Sequence, residues 1–121
     1  MVKLPNIEGF YAGMTMDSKT QARFEARAAI IKAMAHPTRL FIVDELSRNE
    51  RCVCELKDKI GADMSTVSKH LSILKGAGIV ENEKRGSRIF YRLAMPCILN
   101  YLECVEMAIR SAAETQLALT Q

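Results

Sequence analysis

Apolar side chains recur at helical spacing from Ser18 onward. Phe24, Ala28, Ile31 and Ala35 lie four, three and four residues apart, on one face of a helix. Asp17 or Ser18 offers its cap. His36-Pro37 interrupts the pattern, because a residue before proline avoids helical backbone and proline suits a first helical position. PTRLFIVDELS then sets Leu40, Val43 and Leu46 on one face of a second helix. A short third helix is predicted over Val53 to Ile60, with Leu56 and Ile60 inward. Gly61-Ala62 turns the chain, and Asp63 or Ser65 caps a fourth helix running to about Lys75. Its inner face is Val67, Leu71 and Leu74, and Gly76 and Gly78 bracket its end.

The period then falls to two. IVENEK leads through Arg85-Gly86-Ser87 into RIFYRLA, where Ile89, Tyr91 and Leu93 alternate with Arg88, Phe90 and Arg92. This predicts a hairpin with its tip at Gly86. Pro96 opens a last long helix over 95–116, with Ile98, Leu102, Val105, Ile109 and Ala112 in one stripe. Cys97, Tyr101, Cys104 and Ala108 form an adjacent stripe. Together the stripes are wider than one partner face needs, which predicts packing on both the helix's own domain and a second subunit. Residues 1–17, with Pro5, Gly9 and Gly13, show no period and read as an arm before a domain spanning 18–121. The fold expected is mainly α with a two-stranded β wing: a winged helix-turn-helix, in which two short helices meet at a glycine turn and a ribbon follows.

Composition changes this picture little. At 121 residues with 49% apolar and 26% charged residues, the chain suits one globular domain. A net charge of +3 is too small to name a nucleic-acid partner by itself. No run approaches the roughly 18 apolar residues of a membrane span. The opening has no continuous apolar core of a signal peptide. A cytoplasmic protein without a membrane partner is therefore expected, and its four cysteines should be reduced there.

Where the charge sits matters more. The fourth helix turns Ser65, Thr66, Ser68, Lys69 and His70 away from its apolar face. Short hydroxyls and a cation near a helix N-terminus suit phosphates and base edges in a groove of double-stranded DNA. A capped, solvated helix would use serine and threonine too, and His70 also fits a half-buried place under the turn. Lys84, Arg85, Arg88 and Arg92 gather around the hairpin tip, where they can meet phosphates. Glu81 and Glu83 stop just before it.

AHPTRLFIVDEL, RCVCEL, MSTVSKHLSILKGAGIV and the basic wing ending in FYRL resemble the ArsR/SmtB family of bacterial metal- and metalloid-sensing repressors. The resemblance covers roughly residues 28–94. It implies a homodimer built by the first and last helices, with STVSKHL as the recognition helix on operator DNA. It also implies that Cys52 and Cys54 of RCVCEL are the thiolates of an arsenic- or cadmium-type site.

Thiolates are soft ligands that select soft ions, and among these the resemblance implies arsenite or antimonite as inducer, with cadmium or lead as alternatives; no organic cofactor is implied. Residues i and i+2 of a helix point about 200° apart. Both sulfurs can therefore reach one ion only if Cys52 lies at or before the helix start, with Cys54 in the first turn. A helix N-terminus would also favour the thiolate. The family's arsenic pattern often places a third cysteine where this chain has Lys57, and residues 1–17 hold no cysteine. Cys97 and Cys104, seven apart and so nearly on one helix face, are the candidates for a third ligand or for a second site; as cysteines they also fit a buried interface. The last helix carries Glu103, Glu106 and Glu114 but no histidine, unlike zinc- or nickel-sensing relatives.

Two other functions compete. A redox switch would use the same thiols, but Cys-x-Cys is expected to close a disulfide poorly. A thiol oxidoreductase would need Cys-x-x-Cys and alternating strands and helices, which the chain lacks. No enzyme activity is expected.

Overall fold

The structure, a computed structural model, describes residues 15–120. Most of the predicted arm (residues 1–17) lies outside these residues. Helix α1 runs Ser18–Met34, α2 Pro37–Arg48, α3 Val53–Ile60, α4 Met64–Gly76 and α5 Ile98–Thr120. Strands β2 (Val80–Arg85) and β3 (Arg88–Leu93) form the wing hairpin. A two-residue strand, β1 (Arg51–Cys52), was not predicted, being too short to show alternation.

The local signals acted as read. Asp17 caps α1, accepting from the Thr20 N–H at 2.7 Å. His36 is extended before Pro37 and caps α2 through Nδ1, which accepts from the Thr38 N–H at 3.1 Å. At the end of α4 the Ile79 N–H donates to the Leu74 carbonyl and the Gly78 N–H to the Lys75 carbonyl. Gly78 there has φ +77°, so this is a Schellman end whose flanking apolar pair, Leu74 and Ile79, is fully buried. At the wing tip only Gly86 of the two turn residues has positive φ, the pattern of a type II′ hairpin turn.

Ile42, Val43, Leu46, Leu56, Val67, Leu71, Leu74 and Ile79 build the core, where α2, α3 and α4 meet. The sheet order is β1-β3-β2, all antiparallel, and Tyr91 of β3 is buried on its inner side. Glu45 of α2 is buried among cations: Lys59 lies 2.9 Å, Arg48 3.5 Å and Arg51 3.7 Å from its carboxylate. The Lys59 ammonium beside it is the main reason its carboxyl lies below the usual range. This cluster ties α2 to β1 and α3.

Spacing alone did not set two details. Leu40 is 39% exposed and faces a groove with Ile31, Met34, Tyr101 and Val105, because the buried face of α2 centres on Ile42, Val43 and Leu46. The last helix starts at Ile98, not Pro96, and continues to Thr120. Before Ile98 the chain winds through i to i+3 bonds, among them Leu99 N–H to the Pro96 carbonyl, so Cys97 stands in a turn ahead of the helix. No α5 residue is buried, and Phe24 and Ile31 of α1 are about half exposed. No helix among the described residues is long and apolar enough to cross a membrane.

Candidate nucleic-acid interface and its thiol pair

The reading face begins at a cap. Asp63 Oδ1 accepts from the Thr66 N–H at 2.9 Å and from the Ser65 hydroxyl at 3.2 Å. Bonding from Thr66 holds the Asp63 carboxyl below its ordinary range. With Val67, Leu71 and Leu74 pointing inward, Ser65, Thr66, Ser68 and Lys69 are left exposed on α4.

His70 takes the half-buried place instead. Its ring lies 4.5 Å from that of His36, and its Nδ1 accepts from Arg39 Nη1 at 3.1 Å. A guanidinium can only donate, so this bond requires an unprotonated Nδ1. Arg39 Nε also donates to the Ala33 carbonyl at 2.6 Å. The cluster therefore joins the end of α1, the start of α2 and the middle of α4. Burial, then the nearby His36, Arg39 and Lys69, push the His70 pKa down. The sign follows: the unfolded chain binds a proton near pH 6.5 that the folded chain resists. Stability should hold above that pH and fall as pH drops through it. His70→Gln should flatten this part of the curve in urea unfolding between about pH 5 and 8. Equal slopes for both proteins would remove His70 as the cause.

The wing's cations are not equivalent. Arg85 forms ion pairs with Glu50, in the loop before β1, and with Glu83 at 2.8 Å, and its guanidinium lies 4.8 Å from the Phe90 ring. These carboxylates raise its pKa. Arg92 is likewise held by Glu81 at 2.6 Å and Glu83 at 3.3 Å. Arg85, predicted as a DNA contact, is thus already matched by carboxylates. Lys84 and Arg88 are exposed and have no carboxylate partner among the described residues. The sequence held the acids, but cross-strand pairing decides which cation each one meets.

Cys52 is the N-cap of α3, extended at φ −76° and ψ 157°, and Cys54 lies in the first turn. The Cys52 Sγ accepts from the Glu55 N–H at 3.3 Å, and the Glu55 carboxylate accepts from the Cys52 N–H at 3.2 Å. This capping box puts both sulfurs on one side, as the spacing argument required. The two sulfurs are joined in a disulfide across a Cα–Cα distance of 5.3 Å. The expectation that Cys-x-Cys closes poorly is corrected here. Cys52 is extended just outside the helix, and the resulting Cα–Cα span is ordinary for a disulfide. Cys97 and Cys104 are free and exposed. Among the described residues no third His, Cys, Asp or Glu joins Cys52 and Cys54 in a metal-binding group.

The pair is mechanically close to the reading elements. β1 pairs with β3 in the register Arg51–Tyr91 and Cys52–Phe90. A cleft of about 300 Å³ has Cys52 and Cys54 on one wall, Met64 and Ser68 of α4 on another, and Ile89 and Tyr91 of the wing on a third. The sequence pattern did not reveal this cleft, because it is built by residues far apart in the chain.

Residues 36–82 match the family described as bacterial regulatory protein, arsR family. An HTH-type transcriptional regulator from Methanocaldococcus jannaschii is 38% identical over 85 residues, covering 69% of this chain and 96% of that one. The chain belongs to the arsR family. The family's SmtB repressor from Mycobacterium tuberculosis is 43% identical over 70 residues, 58% of this chain. The match spans about half of that relative's length, 52%. The chain is also similar to the solved homodimeric winged helix-turn-helix DNA-binding domain of Mb0332 from Mycobacterium bovis. That structure superposes with a TM-score of 0.72 at 28% identity, covering 84% of this chain and 94% of its own. The winged helix-turn-helix reading of the sequence thus holds.

Proposed function

We propose that this chain is a cytoplasmic transcriptional repressor, not an enzyme, that binds double-stranded operator DNA as a homodimer and releases it when Cys52 and Cys54 react. The position of the thiol pair carries this reading. It caps α3, shares a strand pairing with the wing and is separated from α4 by one cleft. A change at the sulfurs that reshapes the first turn of α3 acts on both DNA-reading elements, which makes α3 the shared element that inducer and DNA both bias. Exposed apolar side chains on α1 and α5, among them Phe24, Ile31, Tyr101, Val105 and Ile109, support dimerisation through those helices.

The first inducer reading is arsenite or antimonite on the reduced thiols, with cadmium or lead as alternatives in the same site. Cys97 or Cys104 is then the protein thiol available for a third bond. A second reading is favoured by the disulfide itself: an oxidant takes two electrons from the dithiol, two protons leave, and the bridged form releases DNA. One titration tests both. Operator release is measured against each of the four ions and against diamide, on the reduced wild type and on each Cys→Ser variant. Cys52→Ser and Cys54→Ser should abolish release by the effective agent. Release that survives both changes together would refute the thiol-pair reading.

A further inference from the structure

We propose that the cleft between α3, α4 and the wing binds a small organic monoanion, an aryl carboxylate, and that its occupant withholds Arg88 from DNA. The inference rests on the reading of α4 and the wing as the DNA-binding elements, and not on any reaction at the sulfurs. The cleft joins two kinds of surface. Val53 of α3, Met64 of α4, and Ile89 and Tyr91 of β3 give it mostly apolar walls. Arg88 is the only charged side chain that lines it among the described residues, and the Ser68 hydroxyl stands at the same cleft.

That pairing selects the occupant. The cleft holds about 300 Å³, at the lower end of the range for small-molecule pockets, room for roughly one or two rings. Met64 and Ile89 are 44% and 40% exposed, so apolar surface stays wet until a body of like chemistry covers it. The Arg88 guanidinium offers parallel N–H donors that fit a planar carboxylate. Arg85 and Arg92 beside it are already held by Glu50, Glu81 and Glu83, whereas Arg88 has no carboxylate partner among the described residues. One unmatched cation matches one negative charge, and a dianion would leave a charge facing apolar walls. A phosphate of the DNA backbone would satisfy Arg88 but leave those walls uncovered, so DNA binding alone does not account for them.

Occupant and DNA then compete for one guanidinium. Ser68 lies on the exposed face of α4 and Arg88 on the wing, so a ring seated between them stands where both elements approach the duplex. Binding is non-covalent, and the Cys52–Cys54 pair serves only as a wall. The cleft is thus a second input to the same reading elements, by chemistry separate from that of the thiols.

The test uses the full chain with phenylacetate as probe, phenylacetamide as its neutral counterpart and acetate as the head group alone. Ions and oxidants that act on sulfur are left out. Methyl NMR signals of Met64 and Ile89 report binding, and fluorescence anisotropy of an operator duplex across a salt series reports DNA affinity. Phenylacetate should shift both signals at a concentration at least about tenfold below that needed by the amide or by acetate. Arg88→Gln should bring acid and amide to within about twofold of each other. Ile89→Gln, read at the Met64 methyl, should weaken acid binding by about tenfold, with urea unfolding showing that the variant folds. Saturating phenylacetate should lower the slope of log DNA affinity against log salt by roughly two, one phosphate contact from each protomer, and should lower it no further in Arg88→Gln. Equal affinities for acid and amide in the wild type overturn the proposal, as does acid binding that leaves the DNA affinity and slope unchanged. Duplex binding without ligand is measured first. A chain that binds no duplex fails as a repressor, whereas one that binds the duplex and ignores phenylacetate fails only as a receptor for organic anions.

Discussion

Leu71→Ala should cost about 2–5 kcal/mol of folding stability. Leu71 is fully buried on the inner face of α4, in one cluster with Ile42, Leu56, Val67 and Leu74. Removing three carbons there loses their transfer energy and leaves a cavity that helices fixed from several sides close only partly. Leu40→Ala removes the same atoms from a side chain that is 39% exposed in the single chain. Its cost to the fold should be well below that of Leu71→Ala. Urea unfolding at one fixed protein concentration separates the two, provided the slope of the transition is unchanged. Equal losses would mean that the groove containing Leu40 is as well packed as the core.

The same comparison shows what the sequence could and could not convey. Val67, Leu71 and Leu74 recur at helical spacing, are flanked by Asp63 and Gly78, and have one possible inner face. Local rules decide such an element, so α4 was legible down to its cap. Leu40 shares helical spacing with Val43 and Leu46, but α2 has apolar residues on more than one side, and spacing alone does not say which of them meets the core. β1 was missed because two residues carry no period. The start of α5 was placed at Pro96 because proline suits a first helical turn, yet the chain makes a tighter turn there first.

The candidate site divides in a similar way. The capping role of Cys52 followed from helix geometry, and so did the need for both sulfurs on one side. The closure of the pair did not, because the spacing of two cysteines does not give the Cα–Cα distance that the extended backbone at Cys52 sets. His70 could be read either as a groove contact or as a half-buried side chain. Its partners, Arg39 and His36, come from another helix and its cap, and only tertiary structure brings them to it. The cleft beside the thiols has walls from α3, α4 and β3, so no window of sequence contains it.

The wing offers the second large effect, and it turns on charges that the sequence could count but not pair. Replacing Lys84 and Arg88 together by alanine removes two cations from each protomer of the dimer; it should lower the slope of log affinity against log salt by roughly three to four, and weaken operator binding by tenfold or more near physiological salt. Each of these exposed cations can release one counterion's worth of phosphate binding, since no carboxylate among the described residues already neutralises it. Arg85→Ala should change the slope much less, although it removes the same charge from the same hairpin. Its guanidinium must first leave Glu50 and Glu83 to reach a phosphate, so its contribution to binding is offset by the pairs it gives up. Glu50→Gln supplies the converse: freeing one side of Arg85 should tighten operator binding and steepen the salt dependence. Because Glu50 lies two residues before Cys52, this pair also links the thiol segment to the wing tip. Fluorescence anisotropy across a salt series decides the matter. A drop in slope for Arg85→Ala as large as that for Arg88→Ala would show that DNA strips the carboxylates away at no cost, and that the wing reads all of its cations alike.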